Sequence, residues 1–222
     1  VGRASRARAM KVKTVSYGSP AYWEERYKKE AAADGEGFEW YPTADALVCA
    51  EASRCVSAGS KLLEIGSGSS QLAFKLQGAC RSGASFLFTD ISETVVATMS
   101  AKWRAESGGD ASSIEFAVMD CCDLPLASAS LDFVVDKGTL DAIDCTDERN
   151  TTNCLREVHR VLSRRAPGGG LYLLVSCRDP DVRRQDFGDL FSVQKILEVR
   201  ANPQSGSPCP DAYFYILEKK GA

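Results

Sequence analysis

The stretch Lys61-Leu-Leu-Glu-Ile-Gly-Ser-Gly-Ser-Ser70 decides the fold. An apolar run ends in an acid, turns on Gly66-Ser-Gly68, and passes at once into a helical pattern over 71–76. A strand that stops at such a turn brings bare backbone N–H groups and a helix N-terminus to one point, where they can hold a nucleotide-like ligand. Gly-x-Gly turns are common, so the weight of the reading lies in what recurs around this one.

Downstream, short apolar runs alternate with helical patterns. The spacing predicts strands over 85–90, 114–119, 131–135 and 171–175. Ser92 is placed to cap a helix that carries Val95, Met99 and Trp103 at i, i+4 and i+8. Leu155, Val158 and Leu162 mark another helical stripe, closed by the glycine turn at 168–170. Two runs at 191–199 and 212–217, separated by the turn-rich 202–208, read as a closing strand pair. Upstream, Thr43 reads as the cap of a helix running towards Val56, preceded by a polar-aromatic region over 17–41. The pattern predicts an α/β chain: a Rossmann-like, doubly wound sheet of seven strands, mostly parallel, with a C-terminal antiparallel pair.

Composition bounds the possibilities. At 222 residues there is room for one α/β domain, taken as 17–222, behind a flexible tail over 1–16. That tail holds Arg3, Arg6, Arg8, Lys11 and Lys13, and no acid precedes Glu24, which leaves a mitochondrial address open beside the expected cytoplasmic one. A net charge of −3 argues against nucleic-acid binding, and no apolar run reaches the ~20 residues that span a bilayer. The nine cysteines include no CxxC pair and His159 is the single histidine, so no metal is expected and the thiols read as reduced. A monomer is expected.

Four predicted strand ends carry an acid at or beside the end: Glu64, Asp90, Asp120 and Asp136. In doubly wound sheets the ligand lies beyond the carboxyl ends of the strands. Asp90 lies 26 positions after Glu64, near the ~20-residue spacing of an acid that accepts from both ribose hydroxyls. Asp120 can accept from an adenine amino group, and Glu64 from an ammonium. A ligand with adenine, ribose and an amino-acid tail is S-adenosylmethionine. A nicotinamide dinucleotide fits less well, because Gln71 stands where its fingerprint needs a third glycine.

Five blocks then occur in order: Tyr22-Trp-Glu-Glu-Arg-Tyr27, Phe38-Glu-Trp-Tyr41, Leu63-Glu-Ile-Gly-Ser-Gly68, Thr89-Asp-Ile-Ser92 and Asp136-Lys-Gly-Thr-Leu-Asp141. Together they resemble the seven-β-strand methyltransferases that modify lysines of translation elongation factor 1-alpha. The likeness is strongest to the branch related to the methyltransferase part of an endothelin-converting-enzyme fusion, with the citrate synthase lysine methyltransferase a near relative. It covers residues 17 to 218. It departs at Ser70, where many methyltransferases have a third glycine, at an apparent insertion over 105–113, and after Ile143, where the match is loose.

The resemblance implies cofactor contacts from Trp23, Tyr27 and Trp40, from Gly66 and Gly68 with Glu64, and from Asp90 with Ile91. It further implies that Asp120 and Cys121 hold the adenine and that Lys137 completes the pocket. Aromatic faces suit a sulfonium cation, an attraction of ~0.5–2 kcal/mol. The DKGTLD run replaces the Asn/Asp-Pro-Pro-aromatic motif of amide and base methylation. Asp136 and Lys137 are therefore the expected catalytic pair, with Asp136 orienting the incoming ammonium. Asp141 reads as either a site residue or a helix cap. The function implied is protein-lysine N-methylation of an elongation-factor-type protein. Alternatives are a small-molecule or protein N-terminal methyltransferase, or a non-catalytic binding module.

Overall fold

The computed structural model describes residues 16–33, 38–80, 83–106, 113–163, 170–201 and 210–221. The basic tail, most of the apparent insertion, the 202–208 turn, Cys209 and the start of the glycine turn lie outside the described residues. Helix α1 (Pro20–Ala32) and a short 3-10 turn (Pro42–Ala44) precede α2 (Asp45–Cys55). The alternating units follow as β1 (Lys61–Ile65), α3 (Leu72–Ala79), β2 (Ser85–Asp90), α4 (Glu93–Glu106) and β3 (Ile114–Val118). Then come β4 (Phe133–Lys137), α5 (Thr139–Asp144), α6 (Glu148–Val161), β5 (Leu171–Ser176), α7 (Pro180–Phe187), β6 (Phe191–Val199) and β7 (Ala212–Lys219).

The sheet order is β3-β2-β1-β4-β5-β7-β6, parallel from β3 through β5, with β7 antiparallel to both β5 and β6. The order reverses between β1 and β4, so their carboxyl ends open a crevice at the switch point. Among the described residues no helix is long and apolar enough to cross a membrane.

Period-2 alternation sorts the central strands between two cores. On one face Leu62, Phe133 and Val135 pack beneath α2 and α3, with Val48, Ala52, Leu72 and Leu76. On the other, Leu63, Ile65 and Val134 pack with Leu155, Val158 and Tyr172. The same alternation places Glu64 and Lys137 on the first face and Asp136 on the second.

Three local expectations need correction. Thr43 does not cap α2: the helix starts from Ala44 without a side-chain cap, and Thr43 Oγ1 instead donates to the Arg200 carbonyl at 2.9 Å. Strand β4 runs over 133–137 rather than 131–135, because Leu131 makes only an isolated bridge to Leu162. Asp136 is thus inside the strand and not beyond its end. Asp141 lies within α5 and is not a cap. Ser92 does cap α4, accepting from Val95 N at 3.4 Å.

Candidate functional site

A cavity of about 400 Å³ opens over the carboxyl ends of β1, β2 and β4. Its floor is the glycine turn. Gly66 (φ +58°) and Gly68 (φ +55°) both occupy left-handed backbone that a side chain would strain. Space is equally restrictive: a Cβ on Gly66 would sit 2.1 Å from Thr139 Oγ1, and one on Gly68 would sit 2.6 Å from the Tyr27 hydroxyl. Thr139 in turn donates to the Ile65 carbonyl at 2.9 Å and ties the turn after β4 to the end of β1.

The acids around this floor differ in how they are satisfied. Asp90, nearly buried, accepts from Gly68 N at 3.0 Å with one oxygen and from Ser92 N at 2.9 Å with the other. Burial pushes its carboxyl up to about 6 despite these bonds. The Ile91 N–H adds a third bond, which leaves one lone-pair site for a ribose hydroxyl. Glu64 is more exposed to the cost of burial. It lines the cavity at 1% exposure, and its Oε2 is buried with no hydrogen-bond partner. Desolvation pushes its carboxyl up to about 8, with Lys137 opposing that rise. An orphaned carboxylate oxygen costs stability unless a donor arrives. Ser69 Oγ, also on the cavity wall, is likewise buried without a partner.

At the far end Asp120 is exposed, its Oδ1 accepting from Cys122 N at 2.8 Å. Asp120, Cys121, Ile91, Met119 and Asn150 line this part of the cavity. Among the described residues, Asp120, Cys121 and Cys122 form the one group of metal-capable side chains, with ligand atoms within 4.8 Å of one another.

Helix α1 forms the opposite wall. Trp23 and Tyr27, one turn apart, both line the cavity with their rings stacked at 5.8 Å. Glu24 anchors the helix to the start of α4, accepting from Ser92 Oγ and Thr94 Oγ1, both at 2.6 Å. Those two hydroxyls hold its carboxyl down to about 2. Trp40 lines the cavity from the following segment, edge-on to Tyr17 at 5.9 Å.

The 38–45 segment is pinned by a residue that sequence reasoning passed over. Glu39 accepts from Ser70 Oγ at 2.8 Å and Gln71 N at 3.0 Å, and it pairs with Lys137. Lys137 Nζ also donates to Asp45 Oδ1 at 2.8 Å. Lys137 therefore lines the cavity as expected, but its ammonium is committed to two carboxylates, which outweigh burial and raise its pKa. It clamps the segment and is not free to exchange a proton.

Asp136 departs most from expectation. It is fully buried and is not among the residues that line the cavity. Its Oδ1 accepts from Thr139 N at 2.8 Å, and its Oδ2 from Tyr172 OH at 2.8 Å and Leu140 N at 3.2 Å. Burial pushes its carboxyl up to about 7. It caps the start of α5 from beneath and cannot meet a substrate ammonium, because β4 continues past it and turns its side chain into the second core. Asp141 lines the cavity in its place, with Tyr41 and Cys177. The only sequence signal for this was the position of Asp141 at the end of the DKGTLD block and of Tyr41 at the end of FEWY.

The acceptors and rings fit S-adenosylmethionine: an unpartnered buried carboxylate oxygen for an ammonium, a carboxylate with acceptor capacity left for a ribose hydroxyl, an exposed one beside the far wall for an adenine edge, and aromatic faces for a sulfonium.

Residues 63–173 match a methyltransferase domain family. The chain is similar to the mouse "eEF1A lysine and N-terminal methyltransferase", 32% identical over 78% of this chain and 23% of that protein. It thus spans about a quarter of the length of the first relatives it matches. It is also similar to mouse "EEF1A lysine methyltransferase 4", 31% identical over 93% of this chain and 78% of the relative. Solved structures with the same fold include a SAM-dependent methyltransferase from Aquifex aeolicus, TM-score 0.60 at 14% identity over 91% of this chain and 99% of that one. Another is the [4+2]-cyclase SpnF, TM-score 0.64 at 15% identity, covering 91% and 95%. A likeness at that identity speaks for the fold alone, whereas the family match and the near-full-length relative speak for kinship: the chain belongs to the methyltransferase domain family, in the group of the eEF1A lysine methyltransferases.

Proposed function

We propose that this chain is an S-adenosylmethionine-dependent protein-lysine N-methyltransferase acting on eEF1A in the cytoplasm, as a monomer. The single observation that carries the cofactor assignment is the buried, unpartnered Oε2 of Glu64 at the edge of the glycine turn. The relatives' names support the protein substrate. When bound, S-adenosylmethionine supplies an electrophilic methyl group. Glu64 accepts from its ammonium, Asp90 from its ribose, and Asp120 with Cys121 flanks its adenine. Gly66 and Gly68 let the backbone approach, and the Ile91 side chain packs beside the adenosine. Trp23, Tyr27 and Trp40 wall the cavity on the N-terminal side. Lys137 holds that wall through Glu39 and Asp45 and exerts its effect by position. Transfer to an amine is an in-line displacement, so most of the rate comes from positioning and exclusion of water.

The test is incubation of the purified chain with eEF1A and S-adenosylmethionine, followed by peptide mass spectrometry. A mass increase on one lysine, absent in Asp90→Ala, supports the reading. Methylation confined to the N-terminal amine supports the second reading, which the first relative's name favours. Methylation of neither overturns the substrate assignment.

A further inference from the structure

The cavity end formed by β4, α5 and β5 has a polar group whose role the cofactor does not absorb. Tyr41 takes a left-handed backbone (φ 47°, ψ 52°), which is rare for a bulky side chain and persists only where the surroundings enforce it. The enforced conformation lays its ring against Gly138, where a Cβ would come within 3.0 Å of Tyr41 Cε2. It also lets the hydroxyl donate to Asp141 Oδ2 at 2.9 Å.

Asp141 is itself saturated. Its Oδ1 accepts from Ser176 Oγ at 2.5 Å and Arg183 Nη2 at 2.8 Å, and its Oδ2 from Cys177 N at 2.9 Å and from Tyr41. A carboxylate offers about four lone-pair sites, and all are taken. Asp141 therefore has nothing left for a ligand, and the Tyr41 hydrogen is committed inward. The Cys177 thiol is a second, weak partner of the same hydroxyl, and what Tyr41 keeps beside it is an oxygen lone pair, which can accept but cannot donate.

We propose that the Tyr41 hydroxyl is the acceptor-amine site of this chain: it receives an N–H from the substrate lysine and keeps that amine's lone pair aimed at the methyl group. This rests on the proposed methyl transfer. The lysine ammonium loses one proton to water, and its nitrogen lone pair forms the new N–C bond. The S–C bond breaks with its electrons kept by sulfur, which becomes a neutral thioether. Tyr41 exchanges no proton: burial and the Asp141 charge push its hydroxyl far above the ordinary tyrosine range. The site selects for donors, so amines are favoured over groups that only accept. Since Tyr41 needs an N–H, it serves an unmethylated or monomethylated amine and offers nothing to a neutral dimethylated one.

The test uses S-adenosylhomocysteine analogues in which nitrogen replaces sulfur and carries an alkyl arm, ending either in a primary amine or in an acceptor-only ether. Calorimetric titration of the wild-type chain should give the amine arm roughly tenfold tighter binding than the ether arm, and Tyr41→Phe should erase that ratio while S-adenosylhomocysteine binding stays within about twofold. Equal binding of both arms to the wild type, or an unchanged ratio in Tyr41→Phe, overturns the proposal. The two arms on the wild type alone decide the matter if the variant does not fold. Binding of neither analogue nor S-adenosylhomocysteine overturns the cofactor reading as well. A tight amine arm with no methylation of eEF1A leaves the amine site standing and removes only the protein substrate.

Discussion

The two sides of the switch point treat their acids in opposite ways. On the β1–β2 side, Glu64 is buried with an unpartnered oxygen, and Asp90 is held by backbone N–H groups alone with acceptor capacity left over. On the β4–β5 side, Asp136 and Asp141 are each held by three or more donors, and the fully buried Arg183 bridges Asp141, Asp144 and Asp186. A carboxylate left short of donors in a cavity wall waits for a ligand, whereas a saturated one holds a scaffold. The first side costs the apo fold stability in return for affinity. The second fixes the geometry of α5 and Tyr41 and contributes no open valence of its own.

The sharpest break of that contrast is Arg183→Leu. It takes the buried cation away from three carboxylates, leaving Asp144 and Asp186 to Arg178 and Asp141 to neutral donors, and unfolding in denaturant should show a loss of about 3 kcal/mol. Retention of wild-type stability would show that the network is dispensable. Lys137→Met removes a buried cation from between Glu39 and Asp45 and should cost about 3 kcal/mol, with weaker S-adenosylhomocysteine binding as the 38–45 wall loosens.

On the ligand side the order inverts. Glu64→Gln should leave stability at neutral pH within about 1 kcal/mol, because the native carboxyl is largely protonated there, yet weaken cofactor binding roughly ten- to a hundred-fold. Equal losses in stability and binding would erase the distinction between the two sides. The smallest effect is in the pH dependence of apo stability. A carboxyl raised from 4.5 to about 8 binds its proton more tightly in the native state. Its contribution is therefore favourable below its unfolded pKa and is lost as pH rises towards about 8. Thermal melts of the apo chain from about pH 5 to pH 8 should decline less steeply in Glu64→Gln than in the wild type.

The same contrast explains what the sequence could disclose. The β1–β2 side was legible because its groups follow a single chain: a strand, a Gly-x-Gly turn, and an acid one strand later, at spacings fixed by the βαβ unit. The number of strands, the mostly parallel sheet and the closing antiparallel pair followed from the same periodicity. The β4–β5 side was not legible in this way. Asp136 looked like a strand-end acid until β4 proved to run two residues further, to Lys137, which leaves Asp136 inside the strand on the same face as Val134. Asp141 meets Tyr41 across 100 positions and Arg183 across 42. Such a network has no local pattern to read. Glu39 sat inside a quoted block, yet nothing in its neighbours announced that it bridges the α3 N-terminus and Lys137.

The central claim is that the unpartnered Glu64 carboxyl is the seat of the cofactor's ammonium. The direct test is calorimetric titration of the apo chain with S-adenosylhomocysteine at neutral pH in two buffers of different ionisation enthalpy. If an ammonium draws Glu64 into its charged form, binding should release close to one proton in the wild type and almost none in Glu64→Gln, which should also bind more weakly. Binding without proton release, and with equal affinity in the variant, would contradict the account.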